Sequence, residues 1–529
     1  MKRRTLLASA LLPALPLPHL RARSAIVIGS GFGGAVAAYR LAQAGMSVTV
    51  LERGRRWDVD GSGSTFCTIS DPDWRCAWFA DRPPLGLDVS KTITRGAGLI
   101  QKHAGDGIQV MCGAGVGGGS LVIGMFMPQP RRADWETVYR LPYTDFEDVY
   151  WPRARRNLGA ATIPEDIQNH AAYVGARAWP AYIAEFGRTP VPVPFGVNWD
   201  VIRDELAGRA PACHTIGEGP FGSNSGAKNS VDRNYLAWAV AAGARVLPLH
   251  EVTELREVSG SSTFEVACRQ IDDRGSVLST PVLSADYVFL AAGSLGSTSL
   301  LLTSRARGRL PRLAGAEVGK GWGNNGDFLI ARLNLRRAVG HAQGGPGNVR
   351  FHDDSNPYAK AAMAWEAAPI PSWLPATTAH LITSLAAERG EIRYDPATGT
   401  GKVHWPYAEM ETSSDKAGRD LASRLWWSTE GAKGSLLTGL PTYDRNTGMG
   451  LGSRNTYHPL GGLVMGRATD FGGKVAGYEN LFCVDGALLP GSAALANPAL
   501  TITANAERCM DMFLASATNL QMDSVDSHR

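Results

Sequence analysis

The first apolar run of the chain predicts a β-α-β unit. Residues 24–30 form a short apolar run with β-branched side chains, which is typical of a buried parallel strand. They run into the glycine-rich residues 29–34 and then into an alanine-rich stretch, which predicts a helix ending near Gly45. Residues 47–51 predict the second strand, and Glu52 follows it directly. The hydrophobic pattern therefore indicates that the chain begins an α/β fold.

The turn after the first strand has the pattern Gly-x-Gly-x-x-Gly, formed by Gly29, Gly31 and Gly34. Such glycines allow a tight turn, let a pyrophosphate approach the backbone and direct the N–H groups of the helix towards it. Glu52 stands where an acid accepts hydrogen bonds from a ribose. Because strand, turn, helix, second strand and acid occur in register, the segment predicts a dinucleotide site rather than an empty Rossmann-like unit.

Two later blocks of strands and helices predict that the same sheet resumes downstream. Residues 244–249 and 286–291 read as strands, and the second is followed by a glycine turn and a helix over 297–304. Residues 480–486 predict a last strand, and a closing helix starts near Pro498. The order predicts an α/β fold in which three separate segments build one Rossmann-like sheet and two insertions form an α+β substrate-binding domain.

The predicted boundaries follow these changes of pattern. They are 24–55, 228–316 and 473–515 for the nucleotide-binding domain, 56–227 and 317–472 for the substrate-binding domain, and 516–529 for a C-terminal tail. Residues 1–23 combine a basic head, containing Arg3-Arg4, with a short apolar stretch broken by three prolines. This pattern predicts a secretory signal of the twin-arginine type and a secreted or periplasmic bacterial protein, with a frayed proline-rich arm as the alternative.

A second glycine-rich stretch, residues 113–120, contains another formal Gly-x-Gly-x-x-Gly. Residues 121–127 after it are short, include Gly124 and meet Pro128, so a long helix that could receive a pyrophosphate cannot follow. The stretch predicts a glycine-lined loop against which a flat ring or a phosphate packs. A plain glycine-rich turn is the alternative.

Composition excludes several classes of protein. Hydrophobic residues make up 44% of the 529 residues, which rules out wholesale disorder. The net charge of +4 comes without a long block of like charge, which argues against a nucleic-acid partner. The seven cysteines show no C-x-x-C spacing, so we expect no structural metal site. No later segment is apolar for about 18 residues, so we expect a soluble mature protein.

The sequence lacks a Ser nucleophile elbow and a Walker loop, so a redox cofactor is the economical explanation of its nucleotide site. Three polar residues are then candidates for chemistry beside that cofactor. Glu366 is the sole charge in an apolar stretch, and a buried carboxylate there could act as a base, although an exposed edge-strand Glu fits the spacing better. His458 lies between Tyr457 and Pro459 and is either an acid/base or a turn histidine. Asn497 before Pro498 is also typical of a helix N-cap.

Taken together, the motifs resemble the glucose–methanol–choline oxidoreductase superfamily, and most closely its sterol-oxidising members. The resemblance covers nearly all of the chain after the predicted signal. It rests on VIGSGFGGAV with Glu52, GAGVGGGSLV at 113–122, LAAGSLGST at 290–298, WEAAP at 365–369, YHPLGG at 457–462, KVAGYENLFCVDGALLPGS at 474–492 and NPALTITANAER at 497–508.

The resemblance implies noncovalent FAD and the oxidation of the 3β-hydroxyl of cholesterol or a related sterol by O₂, with release of hydrogen peroxide. His458 would orient the hydroxyl and assist its proton loss, and Asn497 would add a polar contact. Glu366 would move a proton from C4 to C6, which converts the 5-en-3-one to the 4-en-3-one. The cofactor would be held by Gly29, Gly31, Phe32, Gly33, Gly34, Glu52, Gly117, Gly118, Gly119, Gly124, Val252 and Gly486.

The resemblance also implies partners and points to differences. The expected partners are the sterol, O₂ and, transiently, membranes or lipid particles from which a monomer would extract its substrate. Ile123 stands where the family usually has Asn, which predicts a changed flavin potential or O₂ reactivity. Ala364 and Ala499 stand where the family has aromatic residues, which predicts a wider or reshaped pocket. The alternatives are a flavin dehydrogenase of another bulky apolar alcohol that uses a non-oxygen acceptor, and a flavoprotein that binds steroids or lipids without turnover.

Overall fold

The structure is a computed structural model that describes residues 23–84, 89–313, 317–333, 348–366, 378–408, 410–429, 435–438 and 454–526. Its strands, in chain order, are β1 (Ser24–Ile28), β2 (Ser47–Leu51), β3 (Ile100–Ala104), β4 (Gln109–Gly113), β5 (Val191–Pro192), β6 (Arg245–Leu247), β7 (His250–Glu257), β8 (Phe264–Ile271), β9 (Val277–Ser279), β10 (Val282–Ala285), β11 (Tyr287–Leu290), β12 (Lys320–Trp322), β13 (Phe328–Leu333), β14 (Val349–Asp353), β15 (Ala361–Glu366), β16 (Thr378–Ser384), β17 (Gly390–Asp395), β18 (Thr400–His404), β19 (Ser435–Thr438), β20 (Asn455–Thr456) and β21 (Leu481–Cys483). Its α-helices are α1 (Phe32–Gln43), α2 (Arg132–Val138), α3 (Tyr143–Asp145), α4 (Trp151–Asn157), α5 (Glu165–Gln168), α6 (Val174–Glu185), α7 (Trp199–Leu206), α8 (Tyr235–Ala241), α9 (Gly293–Ala306), α10 (Ser413–Thr429) and α11 (Ala499–Asp526).

A parallel sheet forms the first part of the fold, with strand order β21-β11-β1-β2-β6. The central strand β1 is buried along nearly its whole length, as expected for a strand covered on both faces. Strands β1 and β2 come from the first predicted segment, β6 and β11 from the second, and β21 from the third. The predicted α/β class, with one Rossmann-like sheet assembled from three discontinuous segments, is confirmed.

Helix α1 is pressed against the carboxyl ends of the sheet strands because its first turn is glycine. A Cβ on Gly33 would lie 2.0 Å from the carbonyl oxygen of Val484, and one on Gly34 would lie 2.1 Å from that of Gly29. Helices α8 and α11 pack against α1. Arg40 of α1 forms ion pairs of 2.6 Å with both Glu507 and Asp511 of α11, which fasten the two helices together.

An antiparallel sheet forms the second part, with strand order β19-β13-β16-β15-β14-β5. Its edge strand β5 comes from the first insertion and pairs with β14 of the second, which joins the two insertions in one sheet. Helices α6 and α10 cover one face with a core that includes Trp179, Phe328 and Leu425. On the other face, Ala379 and Leu381 of β16 line the cavity described below.

The C-terminal end differs from the expected organisation. Residues 516–529 were expected to form a tail, but α11 continues from Ala499 to Asp526. The reason is local, since no Gly or Pro interrupts residues 499–526 and nothing ends the helical hydrogen-bond pattern near 515. Residues 1–22 of the predicted signal and residues 527–529 lie outside the described residues. Within the described ranges, no helix is long and apolar enough to cross a membrane.

Candidate active site

One large cavity lies between the two sheets, with a volume of about 1080 Å³. Its wall combines the turn before α1, the glycine loop after β4, the start of β7 and the N-terminus of α9 with residues 457–459, 485–486 and 497–499. Strands β13 and β16 of the antiparallel sheet complete it. Pockets for one small ligand usually hold about 300–1000 Å³, so this cavity lies just above that range and suits a ligand as large as a dinucleotide.

The wall near α1 is bare backbone. The nearest atom to a Cβ on Gly31 would be the Cα of Gly118, at 3.9 Å, and a Cβ on Gly119 would meet no described atom within 4 Å. Both glycines line the cavity, so a side chain at either position would extend into the cavity rather than clash with the protein. The N-terminus of α1 opens at the same place, where its free N–H groups favour a phosphate. These residues fit a dinucleotide cofactor, because the backbone of the two glycine loops would leave room for its pyrophosphate.

Glu52 is buried at the end of β2 and lines the cavity. Its carboxylate accepts hydrogen bonds from the backbone N–H of Ser30 (3.0 Å), the hydroxyl of Ser30 (2.6 Å) and the backbone N–H of Gly54 (2.9 Å). An ionised carboxylate offers about four acceptor positions, so one remains for a ligand hydroxyl. The hydroxyl of Ser30 also accepts from the N–H of Gly117 at 3.0 Å, which ties the two glycine loops together.

Most of the residues that were expected to bind the cofactor line this cavity. They are Gly29, Gly31, Phe32, Gly33, Glu52, Gly118, Gly119, Gly124, Val252 and Gly486. The other two, Gly34 and Gly117, do not line the cavity but determine the backbone path of its wall. Gly34 packs against Gly29. Gly117 has a φ of 117° and precedes the short 3-10 turn Gly118–Leu121. The second glycine loop therefore leads into no long helix, as its sequence predicted.

The glycine loop after β4 is anchored from behind by a buried amine. The ammonium group of Lys228 donates to the carbonyl oxygens of Leu121 at 2.7 Å and Gly219 at 2.6 Å. Burial lowers the pKa of Lys228 to about 7. Because Gly219 also lines the cavity, Lys228 holds two segments of the wall in a fixed position relative to each other.

His458 and Asn497 face each other in the cavity wall, although 39 positions separate them in the chain. The side-chain nitrogen of Asn497 lies 3.5 Å from Nε2 of His458, at the outer limit of a hydrogen bond. Asn497 lies two positions before the first residue of α11, and its side chain points to the cavity. The two polar residues singled out in the sequence are thus brought together.

Two residues that sequence reasoning missed lie behind His458. Nδ1 of His458 is 2.9 Å from Oδ1 of Asp327, whose side chain is fully buried. The hydroxyl of Thr456 accepts from the backbone N–H of His458 at 2.9 Å and donates to Oδ2 of Asp327 at 2.9 Å. The sequence offers one weak signal for Asp327, its place after the Gly-Asn-Asn-Gly turn of residues 323–326, and spacing alone gives it no role.

The third candidate, Glu366, ends strand β15, and its side chain lies outside the described residues. Its backbone is paired with Ala379 of β16, and Ala379 lines the cavity. Ile123 and Ala499, two of the positions that differ from the family pattern, line the cavity as well. The third, Ala364, is buried and pairs with Leu381.

Two further histidines in the wall are kept uncharged. Burial lowers the pKa of His103 to about 3, with a smaller contribution from Arg53. Burial likewise lowers the pKa of His214 to about 4, against the attraction of Glu205. Both imidazoles are therefore neutral at pH 7, and neither adds a positive charge to the cavity.

Models of known families match most of these elements. A model described as GMC oxidoreductase matches residues 193–321, and a second with the same description matches residues 388–506. A model of an NAD(P)-binding Rossmann-like domain matches residues 27–65. The matched ranges contain the turn before α1, the strands β6 to β11, and both His458 and Asn497, whereas Asp327 lies between the second and third of them in chain order.

Individual relatives extend over nearly the whole chain. The chain is 27% identical to a cholesterol oxidase of Mycobacterium tuberculosis, over 92% of this chain and 90% of that protein. It is 24% identical to a cholesterol oxidase of Acinetobacter baumannii, over 95% of this chain and 96% of that protein. The structure of pyridoxine 4-oxidase from Mesorbium loti is similar with a TM-score of 0.59 at 15% identity, covering 93% of this chain and 99% of that one, which indicates a shared fold.

Proposed function

Since the chain belongs to the GMC oxidoreductase family, we propose that it is an FAD-dependent oxidase that acts on the 3β-hydroxyl of cholesterol or a related sterol. In this proposal O₂ is the electron acceptor, hydrogen peroxide is released, and the 5-en-3-one product is isomerised to the 4-en-3-one. One observation carries the proposal: His458 and Asn497 meet in the wall of the same cavity that the dinucleotide-binding turn opens into.

The cofactor site supports noncovalent FAD. Gly31, Gly118 and Gly119 would leave room for the pyrophosphate, and the fourth acceptor position of Glu52 would take a ribose hydroxyl. Bound there, FAD would accept the hydride from the carbinol carbon and pass the electrons on to O₂.

The chain's own residues would handle the hydroxyl and its proton. Nε2 of His458 would accept the proton of the substrate hydroxyl, as a general base does, while the amide of Asn497 would hold the oxygen in place. A histidine suits this role because its unperturbed pKa lies close to neutrality. The buried setting of His458 would also keep bulk water away from the reacting atoms.

The substrate class is supported by the apolar part of the cavity wall. Leu329 and Leu381 are paired neighbours on the cavity face of the antiparallel sheet, and Phe126, Ile123 and Ala499 add further apolar side chains to the wall. A ligand whose body is hydrocarbon and whose one polar group is a hydroxyl would match these apolar side chains together with the His458–Asn497 pair. The similarity to cholesterol oxidases over more than nine-tenths of the chain supports a sterol within that class.

The reduction of bound flavin without air tests this function. Cholesterol added to the oxygen-free holoprotein should bleach the flavin absorbance, whereas the 3α-epimer, which presents its hydroxyl on the other face, should bleach it far more slowly. Bleaching by other bulky alcohols but not by cholesterol would contradict the sterol assignment. Bleaching by cholesterol without peroxide formation on admission of air would contradict the oxidase assignment and favour a non-oxygen acceptor.

Isomerisation is the role we propose for Glu366, because its backbone partner Ala379 lines the cavity. Replacing Glu366 by Gln should preserve oxidation and peroxide release but let the unconjugated 5-en-3-one accumulate, since an amide cannot take the C4 proton. Chromatography of the products, together with absorbance of the conjugated ketone, measures the ratio. Glu391→Gln, which changes a carboxylate on β17 outside the cavity wall, is the matched control. Conjugated product formed by Glu366→Gln at the unmodified rate would rule out this role.

A further inference from the structure

We propose that Asp327 is a positioning residue, which holds the imidazole of His458 in the tautomer with its proton on Nδ1. Nε2 then faces the cavity as a hydrogen-bond acceptor, able to take the proton of a substrate hydroxyl. This inference rests on the proposed function, because it assigns a partner to the group that accepts that proton. It adds a residue 131 positions away from His458 in the chain.

The direction of the hydrogen bond follows from the chemistry of the two groups. Nδ1 of His458 lies 2.9 Å from Oδ1 of Asp327, and an ionised carboxylate can accept but not donate. The proton between them therefore belongs to Nδ1. The carboxylate is fully buried, and a charge taken out of water needs such donors around it.

A neighbouring amide cannot replace Asp327 as the acceptor. Asn325 uses its side-chain oxygen to accept from the backbone N–H of Ala493 at 2.7 Å, and its nitrogen donates to the carbonyl oxygen of Ala496 at 3.0 Å. It therefore turns its nitrogen to Nδ1 of His458, at 3.5 Å. This nitrogen is a donor and lies 0.6 Å farther away than the carboxylate of Asp327, so it does not compete for the Nδ1 proton.

Thr456 fixes which oxygen of Asp327 serves the imidazole. Its hydroxyl accepts the backbone N–H of His458 at 2.9 Å, and its single proton is directed to Oδ2 of Asp327 at 2.9 Å rather than to the more distant carbonyl oxygen of Asn324 at 3.4 Å. Oδ1 is left for the ring. The backbone N–H of Asp327 is also held, by the carbonyl oxygen of Asn324 at 3.1 Å, so both the main chain and the side chain of Asp327 have fixed positions.

The other ring nitrogen is where the chemistry would occur. Nε2 of His458 faces the side-chain nitrogen of Asn497 at 3.5 Å, which is a donor and suits a ring nitrogen that accepts. When Nε2 takes the hydroxyl proton, the O–H bond breaks, an N–H bond forms and the imidazole becomes a cation. The carboxylate of Asp327, 2.9 Å from the opposite nitrogen, stabilises that cation without taking its proton.

Asp327→Asn tests the tautomer in a specific way. Thr456 would keep donating to the amide oxygen, so the amide NH₂ would face Nδ1 and force the ring proton to Nε2. Long-range ¹H–¹⁵N spectra of protein labelled with ¹⁵N-histidine distinguish the two tautomers, and a spectrum of His458→Gln identifies the signals. We expect an Nδ1–H ring in the unchanged protein and an Nε2–H ring in Asp327→Asn. Ser414→Ala removes a different hydrogen bond of the same loop, to the carbonyl of Gly326, and should keep the Nδ1–H ring.

The rate of flavin reduction provides the second readout. At saturating substrate without air, Asp327→Asn should slow reduction by roughly 10²- to 10⁴-fold, the scale expected when a catalytic imidazole holds the wrong tautomer, with little change in KM. An Nε2–H ring in the unchanged protein, or an unchanged rate in Asp327→Asn, would overturn the proposal. If the variant does not fold, the spectrum of the unchanged protein still decides. Failure of the proposed function would give a different result: the unchanged protein would have the Nδ1–H ring, but no alcohol would reduce its flavin.

Discussion

Replacing His458 by alanine should lower the rate of alcohol oxidation by about 10²-fold or more, while the protein keeps its flavin. The loss is expected because the proposed function assigns the hydroxyl proton to Nε2 of His458, and Asn497 beside it has no group that is basic at neutral pH. Flavin binding should persist because the glycine loops and Glu52 form a separate part of the wall. Stopped-flow measurement of flavin reduction at saturating substrate isolates this step from the reaction with O₂.

Two further variants make the result specific. His458→Gln keeps a side chain that can donate to the buried carboxylate of Asp327, so a similar loss of rate there would show that the imidazole itself is needed. His404→Ala removes a partly exposed histidine of β18 outside the cavity wall and should leave the rate unchanged. A near-normal rate in both His458 variants would place the proton transfer on another group.

Replacing Gly31 by alanine should remove bound flavin without unfolding the protein. The new Cβ would meet the Cα of Gly118 at 3.9 Å, an ordinary contact, and Gly31 has a φ of −69°, which alanine adopts freely. The methyl group would instead occupy the place of the pyrophosphate. Overpacking costs about 1–3 kcal/mol and one lost hydrogen bond to a charged group about 1.5–3 kcal/mol, so FAD affinity should fall by about 10²- to 10⁴-fold.

Gly34→Ala gives the contrast. Its Cβ would lie 2.1 Å from the carbonyl oxygen of Gly29 and 2.9 Å from the Cβ of Ala291, so that variant should lose stability whether or not flavin is present. Thermal unfolding of the two apoproteins and titration with FAD separate the effects. A Gly31→Ala protein that is purified with a full complement of flavin would contradict the placement of the pyrophosphate.

Local signals explain why the nucleotide-binding half could be predicted from the sequence. The strand, glycine turn, helix and acid at residues 24–52 are neighbours in the chain, so their pattern specifies both structure and position. The segments that resume the sheet, β11 and β21, are short apolar strands followed by glycine-containing turns. Each carries its own signal, and the parallel register with β1 then follows from the fold class.

Contacts between distant segments explain what the sequence did not reveal. Asp327 acquires its partner only when the loop after β12 meets the residues that follow β20, and neither segment has a pattern that specifies the other. The pairing of β5 with β14 across the two insertions is of the same kind. Glu366 could be singled out by its lone charge, and the register of β15 with β16 adds that its backbone partner faces the cavity.

We propose that this cavity oxidises a sterol with O₂ and that the product is then isomerised there. The most direct test mixes the purified protein with cholesterol in detergent under air and follows conjugated-ketone absorbance and peroxide release in the same sample. We predict that the two products appear in equal amounts, and that both are lost in His458→Ala. A yellow, flavin-loaded protein that forms neither product from cholesterol would contradict the claim and leave the fold and its cofactor site in place.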